Sequence, residues 1–459
     1  MNHLPNIPKT APSLQLIRWI TNPFGYLDSC YQEYGDVFTL RLTKGEPIVF
    51  LSHPQAIQEV FSLDAKQFDV GRNNGLIRPL VGDNSLILLD GERHQRQRKL
   101  LMPPFHGAKI QAYCQQICQI TESVTSDWSI GEPISIRTTM QEITLQIIMQ
   151  VVFGLKEGSR YQQLKPKLAE ILDMTGSPLR SSMLFFPFLQ QDWGAWSPWG
   201  KFLRLKQQIN QLLQAEISDR RNHSELTGTD ILTLMMSAHD EQGVGMTNEE
   251  LRDELMTLLV AGHETTATAL AWAFYWLHSS PSVLSKLLEE LETLGDNPDP
   301  TELSRLSYLN AVCQETLRLY PVVPIASPRV TKSPLKIMDH QFDADTMLAP
   351  CIYLTHHRED LYPEPKQFKP ERFLERQYSP SEFLPFGGGN RRCLGYALAM
   401  LEMKLVLAKV LSHHQLALVD DKPVKPARRG VTLSPVGGVK MIVKDKRTSQ
   451  SQAKQVVLN

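Results

Sequence analysis

The segment Phe386-Gly387-Gly388-Gly389-Asn390-Arg391-Arg392-Cys393-Leu394-Gly395 concentrates residue types that ordinary packing does not call for. Three consecutive glycines let a backbone turn sharply and come close to a flat ligand. The cysteine stands at the start of an apolar helical run, Tyr396-Ala397-Leu398-Ala399-Met400-Leu401. A sulfur at a helix N-terminus, beside Arg391 and Arg392, should be held as thiolate, the form that ligates a metal. A lone cysteine is more often buried and inert, so the loop gains meaning only from what accompanies it.

Three other segments accompany it. Ala261-Gly262-His263-Glu264-Thr265-Thr266 places glycine, acid and threonine together, a poor choice for helix propensity alone. Glycine leaves room for a ligand against the backbone. A threonine hydroxyl bonded to a carbonyl one turn earlier can open the helix locally. Glu264 and Thr265 form an acid–alcohol pair able to relay protons; small-residue packing with a solvated Glu264 is the plainer alternative. Glu315 and Arg318 are an i,i+3 pair, ordinarily a surface contact of ~0.2–0.5 kcal/mol. Val312, Leu317 and Leu319 crowd this one, however, and a buried pair must be fully satisfied. In Asp90-Gly91-Glu92-Arg93-His94-Gln95-Arg96-Gln97-Arg98-Lys99, Asp90 can cap a helix ending before Pro103-Pro104. His94 and Arg98 then project from one face, suited to carboxylates, unless the face is merely solvated.

Phe386, Gly389, Arg391, Cys393 and Gly395 match the haem-binding signature of the cytochrome P-450 family position for position. The chain resembles that family from Tyr34-Gly35-Asp36-Val37-Phe38 to Arg429-Gly430-Val431-Thr432-Leu433. The resemblance implies a haem b cofactor with Cys393 as iron ligand and with Phe386 and Gly395 beside it. His94, Arg98, Arg329 and Arg391 would bind the haem propionates; His94 carries the weakest match, since the family often has tryptophan there. Glu264 and Thr265 would deliver protons to iron-bound oxygen. Glu315, Arg318 and Arg372, the last within Pro370-Glu371-Arg372-Phe373, would form a structural network that holds the cysteine loop. Ala261, Val322, Val323 and Ile325, with Ala326, would line an apolar substrate pocket. His263 is read as a non-ligand.

The implied activity is a haem-dependent monooxygenase that hydroxylates an apolar small molecule, such as a fatty acid, alkane or terpenoid, with O2 and two electrons. No flavin or iron–sulfur module is expected within the chain. NAD(P)H would therefore act only indirectly, through a ferredoxin or flavodoxin with its reductase. Arg93, Arg96, Lys99 and Arg392 are candidates for attracting an acidic electron donor. A haem-thiolate peroxygenase, isomerase or gas-binding protein needs no external electrons; the Glu264–Thr265 pair speaks against those alternatives. The resemblance points to a bacterial member, with a cyanobacterial source as one reading.

These residues need a scaffold that is mainly α with minor β: a single large cytochrome P-450-type domain over 1–459, with a long central helix over the haem. Alternation and β-branching give strands near 37–42 and 48–51. The pattern is helical from about 91 to 320, proline-rich with short strands from 321 to 392, and helical again after Cys393. Residues 247–278 open with Thr247 and Glu250, a capping-box spacing, and run without proline. Such a helix spans about 48 Å. Its apolar middle, Leu258 to Gly262, predicts an interior course. Residues 1–20 read as a proline-rich lead and 446–459 as a polar, frayed tail.

Composition agrees with this picture. Of 459 residues 42% are hydrophobic and 21% charged, with net charge −1, which argues against a general nucleic-acid binder. Six irregularly spaced cysteines give no disulfide framework and suggest a reducing cytoplasm. No run of about 18 apolar residues predicts a signal peptide or a membrane span. Peripheral membrane contact is the remaining option, through the aromatic stretch 183–199 with Met183, Leu184, Phe185, Phe186, Phe188, Trp193, Trp196 and Trp199.

Overall fold

The computed structural model describes residues 4–42, 47–176, 189–194, 196–223, 228–295 and 297–447. The helices that shape the site are α1 (Pro12–Thr21), α2 (Pro54–Ser62), α3 (Gly91–Leu101), α4 (Cys114–Thr125), α5 (Ile136–Ile147), α6 (Ser159–Gly176), α7 (Pro198–Asn222), α8 (Asn248–Ser279), α9 (Ser307–Leu319) and α10 (Tyr396–His413). The strands are β1 (Val37–Leu40), β2 (Ile48–Leu51), β3 (Phe68–Asp69), β4 (Pro133–Ser135), β5 (Arg329–Thr331), β6 (Met347–Pro350), β7 (His414–Leu418) and β8 (Lys440–Lys446). Two short hairpins, Leu335–Ile337 with His340–Phe342 and Pro426–Arg429 with Thr432–Pro435, complete the β structure used below.

The mainly helical expectation holds. α8 starts where the sequence places it, because the capping box forms: Thr247 Oγ1 accepts the Glu250 N–H at 3.1 Å and Glu250 Oε2 accepts the Thr247 N–H at 2.8 Å. It ends before Pro281, which opens the next helix. Every residue from Thr266 to Tyr275 is buried, since α5, α7, α9 and α10 pack around α8. A helix covered on all sides carries no solvent stripe, which is why its polar residues stand out. α10 packs against α4 and α9 as well, so the element following Cys393 is anchored in the main core.

A mixed sheet lies apart from this helical mass. Its order is β1-β2-β6-β5-β3, with β2 and β6 parallel and the other neighbours antiparallel. Phe38 sits opposite Phe50 in the β1–β2 register, and both are fully buried against α1 through Trp19. A second sheet of order β4-β8-β7 brings the start of α5 beside the last strand, β8.

The lead over 1–20 is not wholly irregular: residues from Pro12 form α1, whose Trp19 and Gln15 are buried. Proline at its first position costs no hydrogen bond, so a helix can begin there. Of the expected tail, 448–459 lies outside the described residues; Lys446 ends β8. Among the described residues no helix is long and apolar enough to cross a membrane.

Candidate functional site

Midway along its length α8 carries an accessible window: Ala261 is exposed, and Gly262, Glu264 and Thr265 are half-buried. An exposed alanine midway along an interior helix means that the helix borders a cleft there. Cys393 has the same double character. It lies deep among protein atoms, yet its side chain is accessible. A residue that lines an interior cleft has both properties.

The cysteine loop owes its sharp turn to its glycines. Gly387 and Gly389 have φ of 65° and 63°, the left-handed region that favours glycine. Gly388 has extended backbone, but an added Cβ would fall 2.2 Å from the Phe61 ring. Gly388 thus lets the loop pack closely on Phe61 of α2. Beyond the turn, the Cys393 N–H donates to Phe386 O at 2.9 Å, which fixes the start of α10 against the loop. Phe386 and Gly395 are half-buried, and the Phe386 ring lies 6.1 Å from that of Tyr396.

The surroundings of this sulfur act in opposite directions. Burial raises the Cys393 pKa, and the Gly395 N–H with Arg98 and Arg392 offsets only part of that rise. Desolvation disfavours an uncompensated anion more strongly than two nearby cations favour it. A directly bound metal cation is what would hold this sulfur as thiolate.

Four residues expected to face carboxylates come together. His94 is buried on α3, with Arg391 and Arg98 close enough to lower its pKa to about 3 after burial has done most of the work. His94 is therefore neutral and offers an N–H rather than charge. Arg329 is buried over the Phe61 ring at 4.7 Å and donates to Gly388 O at 2.9 Å; burial, then Arg391, bring its pKa down to about 10. Arg391 donates to Leu89 O at 2.7 Å and pairs with Asp90. Asp90 occupies the N-cap position of α3 but makes no side-chain cap there. Its carboxylate instead accepts the Val70 and Gly71 N–H groups at 3.0 and 2.9 Å, beside Arg391.

Among the described residues, His94 and Arg98 form no ion pair, and Arg391 Nε is buried without a partner. Buried cations in excess of carboxylates favour an anion. With an accessible sulfur at Cys393, the donor set fits a flat, iron-bearing dianion such as haem.

The Glu264–Thr265 pair divides between two directions. Thr265 Oγ1 donates to Ala261 O at 2.5 Å, the back-bond one turn earlier. α8 nevertheless stays helical across this point. Glu264 is not solvated: it accepts from Arg137 Nη2 at 2.6 and 2.8 Å and from Gln141 Nε2 at 3.0 Å, with Thr268 Oγ1 at 3.4 Å. Arg137 and Gln141 belong to α5 and were not singled out in the sequence. They lie 127 and 123 residues from Glu264, so no local pattern could have found them. His263 points away from the cleft, its Nε2 3.1 Å from Gln141 O.

Glu315 and Arg318 are fully buried on α9. Arg318 donates to Glu315 at 2.7 and 2.9 Å, and to His356 O and Gln367 O at 2.7 and 3.2 Å. Arg372 Nε reaches Glu315 at 3.1 Å, and the Lys369 N–H reaches it at 2.9 Å. A pair so completely satisfied tolerates the desolvation that burial imposes.

The pocket candidates are distributed. Ala261 faces the cleft, whereas Val322, Val323 and Ile325 are half-buried and pack partly into three separate apolar clusters. Of the cations proposed for an electron donor, Arg96 is spent on Asp240 and Glu250, and Lys99 pairs with Glu241. Arg392 lies over the Tyr396 ring at 4.1 Å, and Arg93 bonds Asn84. In the aromatic stretch, 183–188 lies outside the described residues. Trp193 and Trp196 are 63% and 78% exposed with rings 6.1 Å apart, while Trp199 is buried against Phe202.

With this geometry in hand, known proteins offer comparisons. The cytochrome P450 family model matches residues 4–441. The chain is 35% identical over 456 residues to cytochrome P450 135B1 of Mycobacterium tuberculosis, covering 98% of this chain and 94% of that protein. It is 32% identical over 417 residues to cytochrome P450 138 of the same organism, covering 90% of each. Among solved structures, the retinoic acid-bound cyanobacterial CYP120A1 superposes with a TM-score of 0.83 at 24% identity, over 97% of this chain and 100% of that one. The haem domain of cytochrome P450DA gives the same score and identity, over 97% and 98%.

Proposed function

The chain belongs to the cytochrome P450 family and is a haem-dependent monooxygenase, and from that premise we propose that it hydroxylates an elongated apolar molecule, a fatty acid, alkane or terpenoid, with electrons from a separate ferredoxin or flavodoxin and its reductase. The observation that carries this reading is the accessible window at Ala261 and Thr265 in the middle of a largely buried helix. An accessible stretch within a largely buried helix suits a small-molecule ligand, and the half-buried side chains Val322, Val323 and Ile325 would offer it apolar surface.

Cys393 would ligate the iron through its sulfur, and His94, Arg98, Arg329 and Arg391 would hold the two propionates. Haem bound there supplies the activation of O2, so that substrate, O2, two electrons and two protons become hydroxylated product and water. The residues of the chain contribute the rest. Thr265 presents its hydroxyl oxygen to the cleft while its proton is engaged by Ala261 O, which leaves lone pairs to receive a hydrogen bond. Glu264 holds its carboxylate on the α5 side; its part in proton supply is to exchange Arg137 and Gln141 for the cleft by side-chain rotation. Glu315, Arg318 and Arg372 keep the loop before Cys393 in register.

Retinoic acid, bound by the cyanobacterial structural neighbour, combines an apolar chain with a carboxylate and belongs in the substrate panel. The test is optical titration of the purified ferric protein with saturated fatty acids, alkanes, terpenes and retinoic acid. Saturable conversion toward the high-spin spectrum by at least one class, followed by hydroxylated product with a ferredoxin system, is the expected result. Spin-state shifts confined to small polar compounds would contradict the apolar assignment.

A further inference from the structure

Within the segment Ile352–His356, the last residue is a fully buried histidine whose role the activity leaves unassigned. We propose that His356 is a positioning residue for the Cys393 loop, its neutral imidazole tying that loop to the buried Glu315–Arg318–Arg372 network; the inference rests on the reading of Cys393 as the iron ligand.

The connection runs through named atoms. Arg318 Nη1 donates to His356 O at 2.7 Å, which joins the residue to the network. His356 Nε2 accepts the Leu384 N–H at 2.9 Å, which joins it to the loop. From Leu384 the loop closes on itself: the Gly387 N–H donates to Leu384 O, and the Cys393 N–H donates to Phe386 O, each at 2.9 Å. His356 is therefore the link between the buried arginine and the backbone that presents the sulfur.

The chemistry requires histidine in one protonation state. An imidazole accepts at Nε2 only when neutral, with its proton on Nδ1. Full burial beside Arg318, with His357 adjacent, disfavours the cation strongly. The ring is held by Phe383 at 5.3 Å and Tyr362 at 6.2 Å. Nδ1 has no hydrogen-bond partner among the described residues. An apolar residue would avoid that unsatisfied donor, but it would leave the Leu384 N–H buried without an acceptor. The arrangement gives up one bond to secure the one that touches the loop.

His356→Leu removes the acceptor, whereas His356→Gln restores an acceptor oxygen at similar reach. The proteins are purified with haem, and three readouts are taken: the share of thiolate-type band in the ferrous–CO spectrum, the ferric/ferrous midpoint potential, and amide exchange at Leu384. The expected result is a severalfold loss of the thiolate-type share in His356→Leu, a shifted potential and faster Leu384 exchange. His356→Gln should recover most of each. Unchanged spectrum and potential in His356→Leu, or equal impairment of both variants, would overturn the proposal. A wild-type protein with no thiolate-type band would overturn the ligand assignment beneath it, so the two failures are distinct.

Discussion

Glu264 and Thr265 are consecutive, and consecutive helical residues point about 100° apart, so they do not meet on one face. Thr265 belongs to the cleft and Glu264 to α5, where Arg137 and Gln141 hold it. Thr265→Ala should keep the haem and the fold but divert electrons to hydrogen peroxide. The expected loss in product formed per electron is on the order of 100-fold, the usual scale for a lost proton donor. Product and peroxide, counted against reductant consumed, check it; unchanged coupling would remove Thr265 from the proton path. Glu264→Gln preserves hydrogen bonding toward Arg137 and cannot exchange a proton, so it should slow turnover without altering ligand-induced spin shifts. At this scale the cysteine, the glycines and the Glu264–Thr265 pair were legible, because each is a short run of unusual residues. Arg137, Asp90 as partner of Arg391, and His356 were not, since each acts across a contact that only folding creates: 127, 301 and 28 residues along the chain.

At the scale of elements, α8 shows how a sequence can specify a helix and still hide its cost. The capping box and the proline-free run were readable, but the partners of its first turns were not. Glu254 is fully buried there, accepting the Leu86 N–H at 2.7 Å and Gln97 Nε2 at 3.1 Å, while its Oε2 has no partner. Burial pushes its pKa up to about 8 from an ordinary 4.5, with the two hydrogen bonds opposing. The folded chain therefore binds a proton that the unfolded chain releases. Stability from this group is full below about pH 4.5 and is lost as pH rises toward 8. Glu254→Gln should flatten that decline and be the more stable protein at pH 8. Urea midpoints of both proteins at pH 5, 6.5 and 8 decide the matter; parallel curves would mean that Glu254 ionises freely in the fold. The same limit explains α3, where Asp90 was placed correctly at the N-cap position but its carboxylate turned to the Val70 and Gly71 N–H groups just after β3 and to Arg391, a choice made by tertiary partners.

For the whole molecule, the mainly helical class, the interior helix and the apolar start of α10 followed from periodicity and burial of hydrophobic residues. The packing of β1, β2 and β6 beside the helical mass did not, because β6 arrives from almost 300 residues later. Nor did the pairing of Arg96 with Asp240 and Glu250, which leaves one cation fewer for a docking electron donor, whereas Lys99 pairs with Glu241 on the exposed surface. What the assembled molecule offers is an accessible sulfur just before α10, a threonine hydroxyl in the accessible stretch of α8, and a set of largely buried cations around His94. The most direct test of this account is the ferrous–CO absorption spectrum of the haem-loaded protein, wild type beside Cys393→His. The account predicts a red-shifted, thiolate-type band in the wild type and its replacement by an imidazole-type band in the variant. The same red-shifted band in both proteins would show that another residue holds the iron.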